Sequence, residues 1–207
     1  FLISPSNPTS LILNFMFFFS INYHFNKSFV QKYREENVKV IYPFYKCPAG
    51  FNLVNNKKYD LGKSSKNLKL LMIGVVDYRK YRFLLNKDIS DKITITVIGK
   101  KVDSLIVKEL IKNNKVSCLG FVKNINFNDY DFLLNLSIVD NVPAVIPEAI
   151  SSGIPVISRD VGGVSELITS NTGIIFNDKQ MIEFLKNGFH DLEFNFSNSD
   201  YKFYRNK

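Results

Sequence analysis

Leu68-Lys69-Leu70-Leu71-Met72-Ile73-Gly74 is a short apolar run closed by a glycine, and Ile93-Thr94-Ile95-Thr96-Val97-Ile98-Gly99 repeats that form. Runs of this length, rich in branched residues and bounded by a turn former, predict buried strands. Working outward, Val116 to Leu119 closes on Gly120, and Phe132 to Leu136, Pro155 to Ser158 and Gly173 to Phe176 add three further strands. Between them the period changes to that of helices, over Tyr78 to Asn86, Val145 to Ser152, Val164 to Ile168 and Lys179 to Lys186. Asp103 is placed as the N-cap of one more helix that reaches Lys112, with Leu105, Ile106, Leu110 and Ile111 as its apolar stripe. Strand, crossover and strand in repetition predict an α/β fold, a Rossmann-like parallel sheet with helices on both faces.

In such a sheet a ligand binds beyond the carboxyl ends of the strands. Gly74, Gly99 and Gly120 each end a strand, and Gly162-Gly163 follow the fifth. Glycine there serves a tight turn or lets a phosphate approach the backbone at a helix N-terminus. No Gly-x-Gly-x-x-Gly is present, which argues against a dehydrogenase.

With 45% apolar and 22% charged residues, the 207-residue chain has enough apolar side chains for a core and is not of disordered composition. Its cysteines, Cys47 and Cys118, form neither a disulfide framework nor a zinc motif, which suits a reducing, cytoplasmic setting. The run Leu11 to Phe19 is broken by Asn14 and is too short for a membrane helix. No basic residue precedes it as in a secretory signal. Phe15 to Phe19 is read as a buried face rather than a membrane-surface patch. The charge is uneven: residues 57–101 carry twelve basic and four acidic side chains, whereas residues 102–207 carry ten and thirteen. A basic segment suits nucleic acid, an acidic membrane or a phosphorylated ligand, but no nucleic-acid motif is present and that option ranks last.

The most informative stretch runs from Ser137 through Asp140, Asn141, Val142, Pro143 and Glu148 to Gly153-Ile154-Pro155-Val156, and on to Gly162-Gly163-Val164-Ser165-Glu166. Two carboxylates eight residues apart, one at a strand end and one in the following helix, are spaced to face one pocket and accept hydrogen bonds from vicinal hydroxyls. Either acid alone would be read as a cap or a solvated carboxylate. The whole string resembles the donor-binding half of a retaining GT-B glycosyltransferase of family 4, the glycosyl transferases group 1. There an acidic residue, seven intervening residues and a Glu lead into a Gly-x-Pro-Val strand and a Gly-Gly-x-x-Glu turn.

The resemblance implies roles. Glu148 would hold the ribose of a nucleoside diphosphate sugar, and Asp140 the hydroxyls of the transferred sugar. The backbone around Asn141, Val142 and Pro143 would begin a helix facing the diphosphate. Upstream, Gly74-Val75-Val76-Asp77-Tyr78-Arg79-Lys80 is similar to the family's phosphate clamp, with Lys80 in the place of its lysine. Val75 stands where the family has arginine, and Tyr81 where it has glycine; Arg79 or Arg82 is then the substitute cation. A cation at that point stabilises the charge that grows on the departing diphosphate. Gly120-Phe121-Val122 resembles the loop that receives the base, and Gly162 and Gly163 line the donor site. No metal and no cofactor beyond the donor substrate are implied.

The resemblance spans residues 37–188 and leaves residues 1–36 as a remnant of an acceptor-side domain and 189–207 as a C-terminal tail. Val38 to Pro43 matches the strand that enters the donor domain, and His24 is assigned to packing. A chain that starts at Phe1 rather than Met reads as a fragment or a processed product. The expected partners are a nucleotide-sugar donor, a glycan or lipid-linked acceptor and a separate acceptor-binding chain, with no nucleic acid. The implied setting is polysaccharide biosynthesis in the cytoplasm or at the membrane periphery. The alternative is a non-catalytic nucleotide-sugar-binding module or pseudoenzyme that needs a partner chain.

Overall fold

The computed structural model describes residues 57–60, 67–101, 103–140, 142–189 and 193–197. Phe15 to Phe19, His24, Val38 to Pro43, Cys47, Asn141 and His190 lie outside the described residues. The chain order is β1 (Lys57–Asp60), β2 (Leu68–Ile73), α1 (Tyr78–Tyr81), β3 (Ile93–Ile98), α2 (Ser104–Ile111), β4 (Val116–Gly120) and β5 (Phe132–Asn135). There follow α3 (Val145–Ser151), β6 (Val156–Arg159), α4 (Val164–Leu167), β7 (Gly173–Phe176), α5 (Asp178–Asn187) and β8 (Glu193–Phe196). Each of the six strands expected between residues 68 and 176 is present within a residue or so of its expected bounds.

Strands β2 to β7 form one parallel sheet in the order β4-β3-β2-β5-β6-β7. Successive units step outward from β2 in one direction and from β5 in the other, so the order reverses between these two strands. Loops leaving the carboxyl ends of β2 and β5 diverge at that point and open a crevice. The β2 to β3 register pairs Leu68 with Ile93 and Ile73 with Ile98, which sets Gly74 against Gly99 at the sheet edge.

Apolar side chains explain why the sheet is covered. One face packs Leu70, Met72, Ile95, Val97, Phe132 and Leu134 against Tyr81, Ile106, Leu110, Met181, Phe184 and Leu185. The other packs Leu71, Leu133, Val156 and Ile98 against Ile146, Ala149 and Ile150 of α3 and Val164 and Leu167 of α4. Leu70, Leu71 and Ile93 are fully buried, each contributing on the order of 1.5–3 kcal/mol. The second face thins toward β4, where Thr94, Ser117 and Leu119 are exposed.

Local sequence sets the helix ends. Asp103 caps α2, its Oδ1 accepting the N–H groups of Leu105 at 2.9 Å and Ile106 at 3.2 Å. Asn177 and Gln180 close a reciprocal capping box on α5. Three expectations need correction. The helix expected over Tyr78 to Asn86 is one α-turn, capped by Asp77, followed by a 3-10 turn at Arg82–Leu84. It ends because Leu85 is extended and Asn86 takes a left-handed conformation with φ 56°. On α2 only Ile106 and Leu110 are buried, while Leu105 and Ile111 are exposed. An i, i+4 pair shares one face, and its flanking neighbours point about 100° away. The third is that α3 begins at Val145, capped by Ala144 without a side-chain bond, so Val142 and Pro143 precede the helix. Strands β1 and β8, which the sequence did not suggest, pair antiparallel from Lys57↔Phe196 to Asp60↔Glu193. Phe196 is fully buried in the first-face core, and the Ser197 N–H donates to the Asn171 carbonyl at 2.9 Å.

Candidate functional site

Three glycines shape the edge beside the crevice. A Cβ on Gly99 would lie 1.7 Å from the Gly74 carbonyl oxygen, so only glycine lets the two strand ends meet there. The Gly74 N–H donates to Ile98 O at 3.0 Å, and the Gly99 N–H to Gly120 O at 2.8 Å. Gly74 has φ +143°, and a Cβ on it would meet the Lys80 Nζ at 3.0 Å. The lysine side chain therefore folds back over the bare backbone of Gly74.

Asp77 starts α1 by accepting the Lys80 N–H at 3.1 Å, which turns the chain so that Lys80 returns toward the strand end. There its Nζ lies 3.9 Å from Oδ2 of Asp140, which follows β5. The two side chains, 30% and 19% exposed, thus meet across the point where the strand order reverses. The backbone ties the same two loops together, because the Ile138 N–H donates to the Arg79 carbonyl at 2.9 Å. The Arg79 side chain pairs with Asp77 at 3.1 Å, and the Arg82 guanidinium lies 5.0 Å from the Tyr78 ring centroid. Val75 is exposed. The Tyr81 hydroxyl approaches the Gly74 carbonyl at 3.5 Å, and burial pushes its phenol well above the usual range, with Cys118 and Asp77 adding to the effect.

Glu148 occupies the first turn of α3. It keeps solvent access, yet the protein around it removes enough water to raise its carboxyl above the usual carboxylate value. Its carboxylate makes no hydrogen bond or ion pair among the described residues, whereas its backbone carbonyl accepts the Ser151 hydroxyl at 2.8 Å. Gly120 ends β4 with φ +80°, Phe121 beside it is 78% exposed, and Val122 packs against the second-face core. Gly162 turns left-handed with φ +55° so that Gly163 can cap α4. Val142 is half-buried against the same core, and Asn141 lies outside the described residues.

The structure thus brings Gly74, Lys80 and Asp140 into contact distance, with Glu148 in the first turn of α3, Gly120 at the end of β4 and Gly162-Gly163 in the turn that follows β6. Arg79 turns its side chain to Asp77. A cation poised beside a carboxylate over an open glycine edge is suited to an anionic group joined to a hydroxyl-rich one. Among the described residues no group of three or more His, Cys, Asp or Glu side chains is placed to hold a metal ion, and no helix is long and apolar enough to cross a membrane.

Sequence reasoning passed over Arg159, the last residue of β6. It is 8% exposed and bonds to Asp178 and to the carbonyls of Leu136 and Ser137. A charged residue ending an otherwise apolar inner strand is the signal that was there to find.

Comparison with known proteins bears on the family and the fold. A family model described as "Glycosyl transferases group 1" matches residues 66–188. The O-antigen biosynthesis glycosyltransferase WbnH of Escherichia coli is 31% identical over 119 residues, 55% of this chain and 35% of that protein. The chain therefore spans about a third of the length of that relative. Among solved structures, Anabaena Alr3699/HepE in complex with UDP and glucose superposes with a TM-score of 0.50 at 20% identity, over 59% of this chain and 38% of that one. The lipopolysaccharide outer core galactosyltransferase WaaB, in its apo form, does so with a TM-score of 0.52 at 17% identity, over 76% and 49%. At such identities the likeness is one of fold, the Rossmann-like half of a GT-B protein.

Proposed function

The chain belongs to the group 1 glycosyl transferases, and from that premise we propose that it forms the donor-binding half of a retaining enzyme. It takes a nucleoside diphosphate sugar and directs the sugar to a hydroxyl of a glycan or lipid-carrier acceptor. The observation that carries this reading is the 3.9 Å approach of Lys80 to Asp140 across the strand-order reversal, with the lysine side chain lying against Gly74. The bound UDP and glucose of the Anabaena protein and the O-antigen role of the Escherichia coli relative support the donor and acceptor classes.

In this reading the diphosphate lies over Gly74 with Lys80 beside it. As the bond from the anomeric carbon to the diphosphate oxygen breaks, negative charge grows on the leaving group and the ammonium stabilises it more than it stabilised the ground state. Asp140 orients sugar hydroxyls, and Glu148 accepts hydrogen bonds from the ribose. The acceptor oxygen bonds to the anomeric carbon on the face that the diphosphate leaves, and its proton passes to the departing phosphate oxygen, so the configuration is kept. Residues 137–140 and 74–80 orient and bind, while an acceptor-side domain or chain supplies the acceptor.

Isothermal calorimetry with UDP tests the assignment. Glu148→Gln is expected to weaken UDP binding, and Lys80→Ala to slow transfer by roughly 10²–10³-fold, as loss of a preorganised electrostatic donor does. Unchanged UDP affinity in Glu148→Gln rejects the ribose role. Val75 at the clamp position favours a second reading, a nucleotide-sugar-binding module without turnover. Binding of UDP-sugar with neither transfer nor hydrolysis, in the presence of an acceptor-binding partner, distinguishes it.

A further inference from the structure

We infer that Arg159 is a positioning residue that holds the Ser137 to Asp140 turn against the Lys80 loop; its consequence for ligand binding rests on the function proposed above. Three of its side-chain nitrogens are engaged. Nε and Nη2 donate to Asp178 Oδ1 at 2.9 and 2.6 Å, and Nη1 donates to Ser137 O at 3.1 Å and, more weakly, to Leu136 O at 3.5 Å. The guanidinium also lies 4.2 Å from the ring centroid of Phe83, on the 3-10 turn that follows α1. One side chain from β6 therefore touches both loops of the crevice and the start of α5.

The grip on the β5 end is doubled. Ser158, next to Arg159, accepts from Asn135 Nδ2 at 2.9 Å, and Asn135 Oδ1 in turn accepts the Ser137 hydroxyl at 3.0 Å. Leu136 and Ser137 are buried, so without Arg159 their carbonyls lose a donor away from water. One residue further, Ile138 donates to the Arg79 carbonyl, and Asp140 then meets Lys80. The carbonyl contacts end at Ser137, one residue before the Ile138 N–H that meets the Arg79 carbonyl. A buried guanidinium carries a desolvation penalty that an apolar chain of similar length avoids, and Asp178 is too exposed to offset all of it. Packing alone is therefore a poor reason for arginine here, whereas a planar fork that reaches two carbonyls and a carboxylate together is one that lysine cannot match.

Amide hydrogen exchange on the unliganded chain tests this without reference to function. In Arg159→Met, exchange at Ile138 is expected to accelerate at least tenfold more than at Ile95, whose N–H donates to Lys115 O in the sheet and reports global opening. Arg159→Lys should give an intermediate result. Equal acceleration at Ile138 and Ile95, or none at Ile138, overturns the inference and makes Arg159 an ordinary stabilising residue. Should Arg159→Met not fold, Asp178→Asn removes the partner at the exposed end, and a selective rise at Ile138 is again required. In a parallel UDP titration, Arg159→Met is expected to bind about tenfold more weakly than the parent chain; equal affinity rejects the link to the site. A parent chain that does not bind UDP counts against the proposed function, while the exchange comparison still decides the positioning role.

Discussion

Replacing Gly99 with alanine is expected to damage the site edge more than the same change at Gly74 or Gly120. The new Cβ would sit 1.7 Å from the Gly74 carbonyl oxygen and 2.6 Å from its carbon. A relaxed carbon to oxygen approach is about 3.3 Å, so the strand ends must part by roughly 1.6 Å. The hydrogen bond that joins these ends, Gly74 N–H to Ile98 O at 3.0 Å, is then stretched beyond useful length. One lost bond at about 1 kcal/mol, with overpacking strain of about 1–3 kcal/mol, gives a destabilisation of about 2–4 kcal/mol. For a domain of this size that corresponds to a fall in Tm of roughly 10 °C. Gly188→Ala is the control: nothing lies within 4 Å of the added Cβ, so only the strain of its φ 77°, ψ −162° backbone, about 1–3 kcal/mol, is added. Urea titration of the two variants against the parent chain measures the difference. Equal losses in the two would show that the close approach of Gly74 and Gly99 is not rigid, and the account of the glycine edge would fail.

Two further outcomes follow from partly desolvated titratable groups. The Glu148 carboxyl is raised above its usual value of 4.5 by desolvation, so the folded chain keeps this proton to higher pH than the unfolded chain does. The associated stability is fully present below about pH 4.5 and is lost as pH rises through the folded value, so Glu148→Gln should be slightly more stable than the parent at pH 7 and indistinguishable at pH 4 by thermal melting; a less stable variant at pH 7 contradicts this. The Cys118 thiol is raised by burial, with the Lys101 ammonium pulling it back, so alkylation by iodoacetamide at pH 8 should be slower in the folded chain than in urea and slower again in Lys101→Met. Mass spectrometry resolved at Cys118 reads both rates, and equal rates in the folded and unfolded chain refute the assignment.

Several features of this protein were legible in the residues alone because their causes are local. Apolar runs closed by Gly74, Gly99 and Gly120 specify strands and their ends, since side-chain period and glycine punctuation act over a few residues. The same holds for Asp103 as a helix cap, whose bonds reach only two or three residues ahead. Spacing between Asp140 and Glu148, together with the glycine turn at 162–163, likewise marked the loops that form the candidate site. Other features depended on residues far apart in the chain. That β2 lies beside β5, and that Lys80 consequently meets Asp140 sixty residues later, is a matter of sheet order, which no local pattern encodes. The pairing of β1 with β8 joins segments more than 130 residues apart, and neither carries enough apolar alternation to announce itself. The partners of Arg159, namely Ser137, Asp178 and Phe83, come from separate segments that only the fold brings around it. Short-range chemistry wrote the elements and the turns; contacts that close only when distant strands pack side by side decided which charges face each other.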